Sequence, residues 1–227
     1  METHTRNPRP VRPEKQRATG NPSSHPEVPP GRREDTLGFE RLVFFSDAVF
    51  AIAITLLALE IHLPAGETAP DDARLFTALL EIWPRYLAYA LSFLVIGTFW
   101  IGHHRKFRHI RQYDRRLILL NLLLLMSVAF IPFPTTLISD STNRTATIFY
   151  ALSMTCTGLL SAGLWWYASS RASLIDPSLP PAEVRREGLR SLIIPGVFLL
   201  SIALALIHSD TARFFWLLLV PAAFVGR

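Results

Sequence analysis

From residue 39 onward the chain alternates long apolar runs with short charged stretches, the runs covering 39–63, 83–102, 117–138, 146–168, 189–208 and 212–227. Several approach the roughly 20 residues a helix needs to cross a hydrocarbon core, so the pattern predicts an all-α integral membrane protein with six transmembrane helices. Pro64 and Gly66 end the first run. The second has an amphipathic lead-in from Ala73, and Pro84 suits a first helical turn, where a missing N–H costs little. Pro132 and Pro134 predict a kink or break near the far end of the third run. The sixth run, about 16 residues or roughly 24 Å of helix, is short for a full crossing.

Residues 1–36 carry many prolines and charges and almost no large apolar side chain, which predicts a disordered tail ahead of one transmembrane domain at 37–227. No apolar core of a cleavable signal peptide precedes Leu42, so the first helix is expected to stay in the mature chain. No internal repeat divides the domain. Lys and Arg number eight through Arg41, six over 103–116, four over 169–190 and one at Arg227, which leaves only Arg74, Arg85, Arg144 and Arg213 of the 23 for the other side. By the positive-inside rule both termini are cytoplasmic and the number of crossings is even.

The segment 41–61, RLVFFSDAVFAIAITLLALEI, holds the most informative side chains. At 100° per residue Arg41, Phe45, Ala48, Ile52, Thr55, Leu56 and Leu59 share one stripe, and Ser46 and Asp47 point well away from its centre. The stripe suits lipid contact or helix packing as well as a pore. An ionised Asp47 inside a span costs about 2.5 to 3.5 kcal/mol and must face protein or water, either as part of an ion pair or as a site for a transported ion. At the end of the second run, FWIGHHRKFRHI (99–110) places Trp100 on the helical face of His103 and His104, within reach of Ser46 and Asp47. Asn121, near the same end of the third run, is placed to cap a helix or join that network. Interfacial histidines solvated by headgroups are the alternative reading of the pair.

Composition then narrows the chemistry. Half the residues are hydrophobic and 18% are charged, with a net charge of +5, a mean hydropathy of +0.28 and a pI near 9.9. Because the basic residues lie between apolar runs they act as topology signals, and nucleic acid is not an expected partner. Cys156 is the single cysteine, so no disulfide framework or cysteine metal site is expected. His103 and His104 are adjacent and diverge by about 100°, which does not suit chelation of one metal. Phosphate loops, HExxH and GxSxG are absent, and neither an enzyme activity nor a cofactor is expected.

The run of Arg41, Phe45, Ser46 and Asp47, followed by AVFAIAITLLALEI, resembles the RxxxFSD signature of the transmembrane protein 175 family of potassium channels. FWIGHH at 99–104 and NLLLLMSVAFIPFPT at 121–135 are similar to the family's next two helices, and the remaining helices match only in hydropathy. The chain looks like a prokaryotic member with one six-helix unit. The resemblance implies a homotetramer in the cell membrane, with first helices around the ion path and no carbonyl filter of the TVGYG type. It maps the hydrophobic constriction onto Ile52, further layers onto Leu56 and Leu59, and a pore-lining hydroxyl onto Thr55. Arg41, Phe45, Ser46, Asp47, Trp100, His103, His104 and Asn121 become a structural polar network tying the first helix to its neighbours. The expected function is passive, potassium-preferring conduction, with potassium ions and the bilayer as partners. A proton-coupled secondary transporter using Asp47 and the histidines, or a non-transporting scaffold, are the competing readings. A transporter normally shows broken helices or inverted repeats, and neither is visible in the first two helices.

Overall fold

The computed structural model describes residues 30–63, 71–141, 143–207 and 216. Among these residues eight helices follow in order: α1 (Pro30–Leu59), α2 (Asp72–Glu81), α3 (Trp83–His109), α4 (Arg115–Phe130), α5 (Pro132–Asp140), α6 (Arg144–Ser169), α7 (Pro181–Ser191) and α8 (Ile193–Ile207). Among the described residues, five segments are long and apolar enough to cross a membrane: Leu37–Leu59, Trp83–His109, Arg115–Asp140, Arg144–Ser169 and Pro181–Leu206. The sixth predicted span lies outside the described residues apart from Trp216, as do residues 1–29 of the predicted tail and the stop signal at Pro64 and Gly66.

Helix boundaries follow local chemistry. Asp71, Asp114 and Asn143 each accept the backbone N–H three residues on, at 2.8 Å, and so start α2, α4 and α6. The break expected at Pro132 and Pro134 separates α4 from α5, because neither proline can donate to the ladder. Ile131 at the junction keeps helical angles, so the two pieces still form one span. Two boundaries differ from the sequence reading. Helix α1 begins at Pro30, within the segment assigned to the tail. The fifth span begins at Pro181 instead of 189, because α7 (PAEVRREGLRS) is amphipathic and too polar for an average hydropathy to register.

Helix α6 sits at the centre, packed against α8, α4, α5 and α7, and α1 packs on α3 and α4. A Cβ at Gly158 would meet the Pro195 ring at 2.7 to 3.0 Å, so the close approach of α6 to α8 at this point depends on a residue without a side chain. Tyr150, Phe198 and Trp216 pack ring against ring in the same layer. Inside the bundle Thr135 donates to Ser92 at 2.8 Å, and Ser92 pairs with the Tyr150 hydroxyl at 3.0 Å, joining α3, α5 and α6. Such pairing is required where water is absent.

The ends are stapled. At one end Arg85 bonds the His62 carbonyl and pairs with Asp140 at 2.9 Å, holding the exit of α1 to α3 and α5. At the basic end the loops 110–114 and 170–180 meet through an isolated bridge between Ile110 and Ile175, two backbone bonds from Arg111 and Asp176, and the Arg111–Asp176 ion pair at 2.7 Å. The Ser178 hydroxyl, and then Arg111, hold the Asp176 carboxyl far below the ordinary carboxylate range. Asp114 is also lowered, chiefly by the Tyr167 hydroxyl that donates to it at 2.5 Å.

Candidate functional site

Helix α1 carries two faces with opposite surroundings. Ser46, Phe50, Ala53 and Leu57, at helical spacing, are buried against α3 and α4. The stripe found by helical geometry lies on the outside: Arg41, Phe45, Ala48, Ile52, Thr55, Leu56 and Leu59 are all exposed. Ile52 keeps 56% of its surface accessible, Leu56 40% and Leu59 73%. Within this stripe the Thr55 hydroxyl donates back to the Ile52 carbonyl at 2.9 Å, which satisfies its proton and leaves its oxygen lone pairs outward.

Behind that face two separate sets of polar bonds tie α1 to α3 and α4. Trp100 Nε1 of α3 donates to Asp47 Oδ1 at 2.8 Å. His103 Nε2 meets Asn121 Oδ1 of α4 at 2.9 Å, Asn121 Nδ2 donates to Ser46 Oγ at 2.9 Å, and Ser46 donates on to the Leu42 carbonyl at 2.8 Å. The His103 ring is held between Phe107, 4.1 Å away and nearly parallel, and Phe50 at 5.4 Å. These bonds fix the rotation of α1, since turning it by one residue would pull Ser46 and Asp47 from their partners together.

Ser46, Asp47, Trp100, His103 and Asn121 are thus brought together where α1 meets α3 and α4. Three other proposed members are not. Arg41 and Phe45 point outward with no hydrogen bond to a described residue, because they share the stripe of Ile52 and not the flank of Ser46. His104 is exposed and only approaches the Trp100 ring, at 5.9 Å. Of the adjacent histidines, His103 alone faces inward.

Sequence reasoning missed a second buried cluster one to two turns along α3. Lys106, almost fully buried, donates to the Ser161 carbonyl at 3.0 Å and hydroxyl at 2.6 Å, and Arg105 pairs with buried Glu187 of α7 at 2.6 Å. The available signal was the three-residue spacing of His103 and Lys106, which puts a second polar group on the inward side of α3. No group of three or more His, Cys, Asp or Glu that could hold a metal occurs among the described residues.

An uninterrupted helix with an apolar outward stripe, locked from behind by buried polar bonds inside a bundle of membrane-length helices, defines a multi-pass helical membrane protein. The family model described as "Endosomal/lysosomal potassium channel TMEM175" matches residues 41–132, which contain both the stripe and the network. A potassium channel of Streptomyces collinus is 38% identical over 174 residues, covering 74% of this chain and 83% of that protein. The chain belongs to the TMEM175 family. Human TMEM175, named as an endosomal/lysosomal proton channel, is 39% identical over 120 residues, 49% of this chain and 23% of the human protein. The crystal structure of a lysosomal potassium-selective channel TMEM175 homolog from Chamaesiphon minutus superposes with a TM-score of 0.72 at 33% identity, over 83% of this chain and 97% of that one.

Proposed function

We infer that the chain is a potassium channel of the cell membrane, in which four copies surround an ion path with the outward face of α1, and both termini are cytoplasmic. The observation that carries this reading is the placement of Ile52, Leu56 and Leu59, exposed on a helix whose opposite side is rigidly packed. A ring of four Ile52 side chains makes a narrow apolar constriction that favours dewetting, so an ion passes by shedding part of its hydration, which costs potassium less than sodium. Leu56 and Leu59 extend the apolar layers, and the Thr55 oxygen supplies a polar contact between them. Asp47, Ser46, Trp100, His103 and Asn121 hold α1 in register and carry no ion. Against the transporter reading, α1 and α3 are continuous, without the broken segments that usually form midplane ion sites.

Purified protein in liposomes with a potassium gradient tests this. Downhill potassium flux, compared with valinomycin controls, supports the channel. Flux that requires an opposing proton gradient would replace it with a coupled transporter, and no flux under any gradient would leave only a scaffold. A proton-flux arm is included because the human relative is named a proton channel.

A further inference from the structure

At the basic end, the last turn of α6, the loop before α7 and α7 itself enclose an open groove of about 540 Å³. Its walls differ in character. Trp166, Gly188, Leu189 and Leu192 form an apolar trough, while Ser169 and Arg185 lie along it as polar groups. The volume is in the range of small-molecule sites, yet Trp166 and Leu189 stay more than half exposed, so the trough opens sideways from the bundle.

Its depth in the bilayer follows from length. The span Pro181–Leu206 has 26 residues, roughly 39 Å of helix against about 30 Å of hydrocarbon, which leaves the first turns of α7 in the headgroup layer. Trp166, near the end of α6, is at the level where tryptophans gather at membrane interfaces. The charge on α7 is one-sided. Glu187 turns inward to Arg105, and Arg185, Arg186 and Arg190 make no hydrogen bond or ion pair with any described residue, leaving exposed Glu183 as the opposing charge on that helix. An apolar trough at acyl depth with unpaired guanidinium at phosphate depth is complementary to one class of molecule.

We propose that this groove binds an anionic glycerophospholipid from the leaflet at the basic end of the bundle, with its phosphate on Arg185 and the upper part of an acyl chain along Trp166, Leu189 and Leu192. The lipid covers apolar surface that the described residues leave open, and its headgroup takes the fixed bidentate donors that an arginine offers to phosphate. A single site, not a general annulus, follows from the groove's bounded walls.

The full chain in neutral detergent, titrated with brominated phosphatidylglycerol or brominated phosphatidylcholine, reports occupancy through quenching of tryptophan fluorescence. The Trp166→Phe variant identifies the share of the signal from this one of the five tryptophans. Expected is a saturable Trp166 component with half-saturation about fivefold lower for phosphatidylglycerol than for phosphatidylcholine. Arg185→Gln should remove that preference and Arg185→Lys retain most of it. Gly188→Leu should abolish saturable quenching, since even a Cβ there already lies 3.7 to 3.9 Å from the Trp165 and Trp166 indoles. Arg144→Gln, at the opposite end of α6, should change nothing. Equal affinity for the two lipids with no effect of Arg185→Gln would overturn the site in favour of plain apolar contact. Displacement of phosphatidylglycerol by inorganic phosphate would reassign it to a free anion, and absence of Trp166 quenching by either lipid would mean that another segment or a second copy covers the groove.

Discussion

Ile52 and Leu57 lie five residues apart on one helix, and the same substitution should do opposite things to them. Ile52→Asn puts an amide on the outward face, where four copies would offer dipoles to replace lost water. Flux assays in liposomes should show faster conduction and weaker discrimination of potassium from sodium, with normal yield. Leu57 is fully buried in the core of the helical bundle. Leu57→Asn should cost roughly 3 to 5 kcal/mol through lost packing and an unpaired amide, and fluorescence-detected size exclusion should show little folded protein. In the network, Asn121→Leu leaves the buried His103 without a partner on either ring nitrogen, Nδ1 having none already. A loss of about 2 to 3 kcal/mol should lower the melting temperature in detergent without altering ion preference. Asp47→Asn keeps an oxygen for Trp100 and should be far milder than Asp47→Ala.

Between elements, contact depends on residues that hydropathy does not register. Gly158→Ala forces a methyl group into the Pro195 ring, so α6 and α8 must separate, at about 1 to 3 kcal/mol, readable as a lower thermal midpoint. At the basic end the staple between loops 110–114 and 170–180 is pH-sensitive in one direction. Asp176 is more acidic folded than unfolded, so its contribution is complete above its ordinary value near 3.8 and fades as pH falls through that range toward the folded value. Hydrogen exchange at the Asp176 amide, which donates to the His109 carbonyl at 3.0 Å, should be equally protected at pH 7 and pH 5 and lose protection in stronger acid. Arg111→Gln should weaken that protection already at neutral pH.

For the whole molecule, the outward stripe of α1 is one of several sets of exposed leucines and phenylalanines on the bundle, and lipid would solvate any of them equally well. What separates them is rigidity. Helix α1 is fixed in rotation by Trp100 of α3 and Asn121 of α4, so its outward face is presented in one orientation, as a symmetric ring requires. Light scattering with detergent subtracted should give a protein mass of four 25.6 kDa chains. A monomeric mass with retained flux would separate conduction from the proposed ring.

Run length and helical phase in the sequence were enough to establish the membrane class and the proline break after Phe130, and to group the stripe from Arg41 to Leu59 apart from Ser46 and Asp47, without deciding whether that stripe packs inside the bundle or faces out of it. These are local properties: a residue's direction on a helix depends only on its number, and a span depends only on consecutive side chains. Which groups across different helices meet was decided by tertiary packing. Arg41 and Phe45 entered the network through the family resemblance, although phase already set them on the stripe of Ile52. Phase alone allowed either His103 or His104 to face Asn121, because periodicity describes one helix and is silent about its neighbour's rotation. The Lys106–Ser161 bonds and the Arg105–Glu187 pair escaped for the same reason. Their partners lie 55 and 82 residues away, and only when α6 and α7 close over α3 does burial leave each charge a single place to find a hydrogen bond.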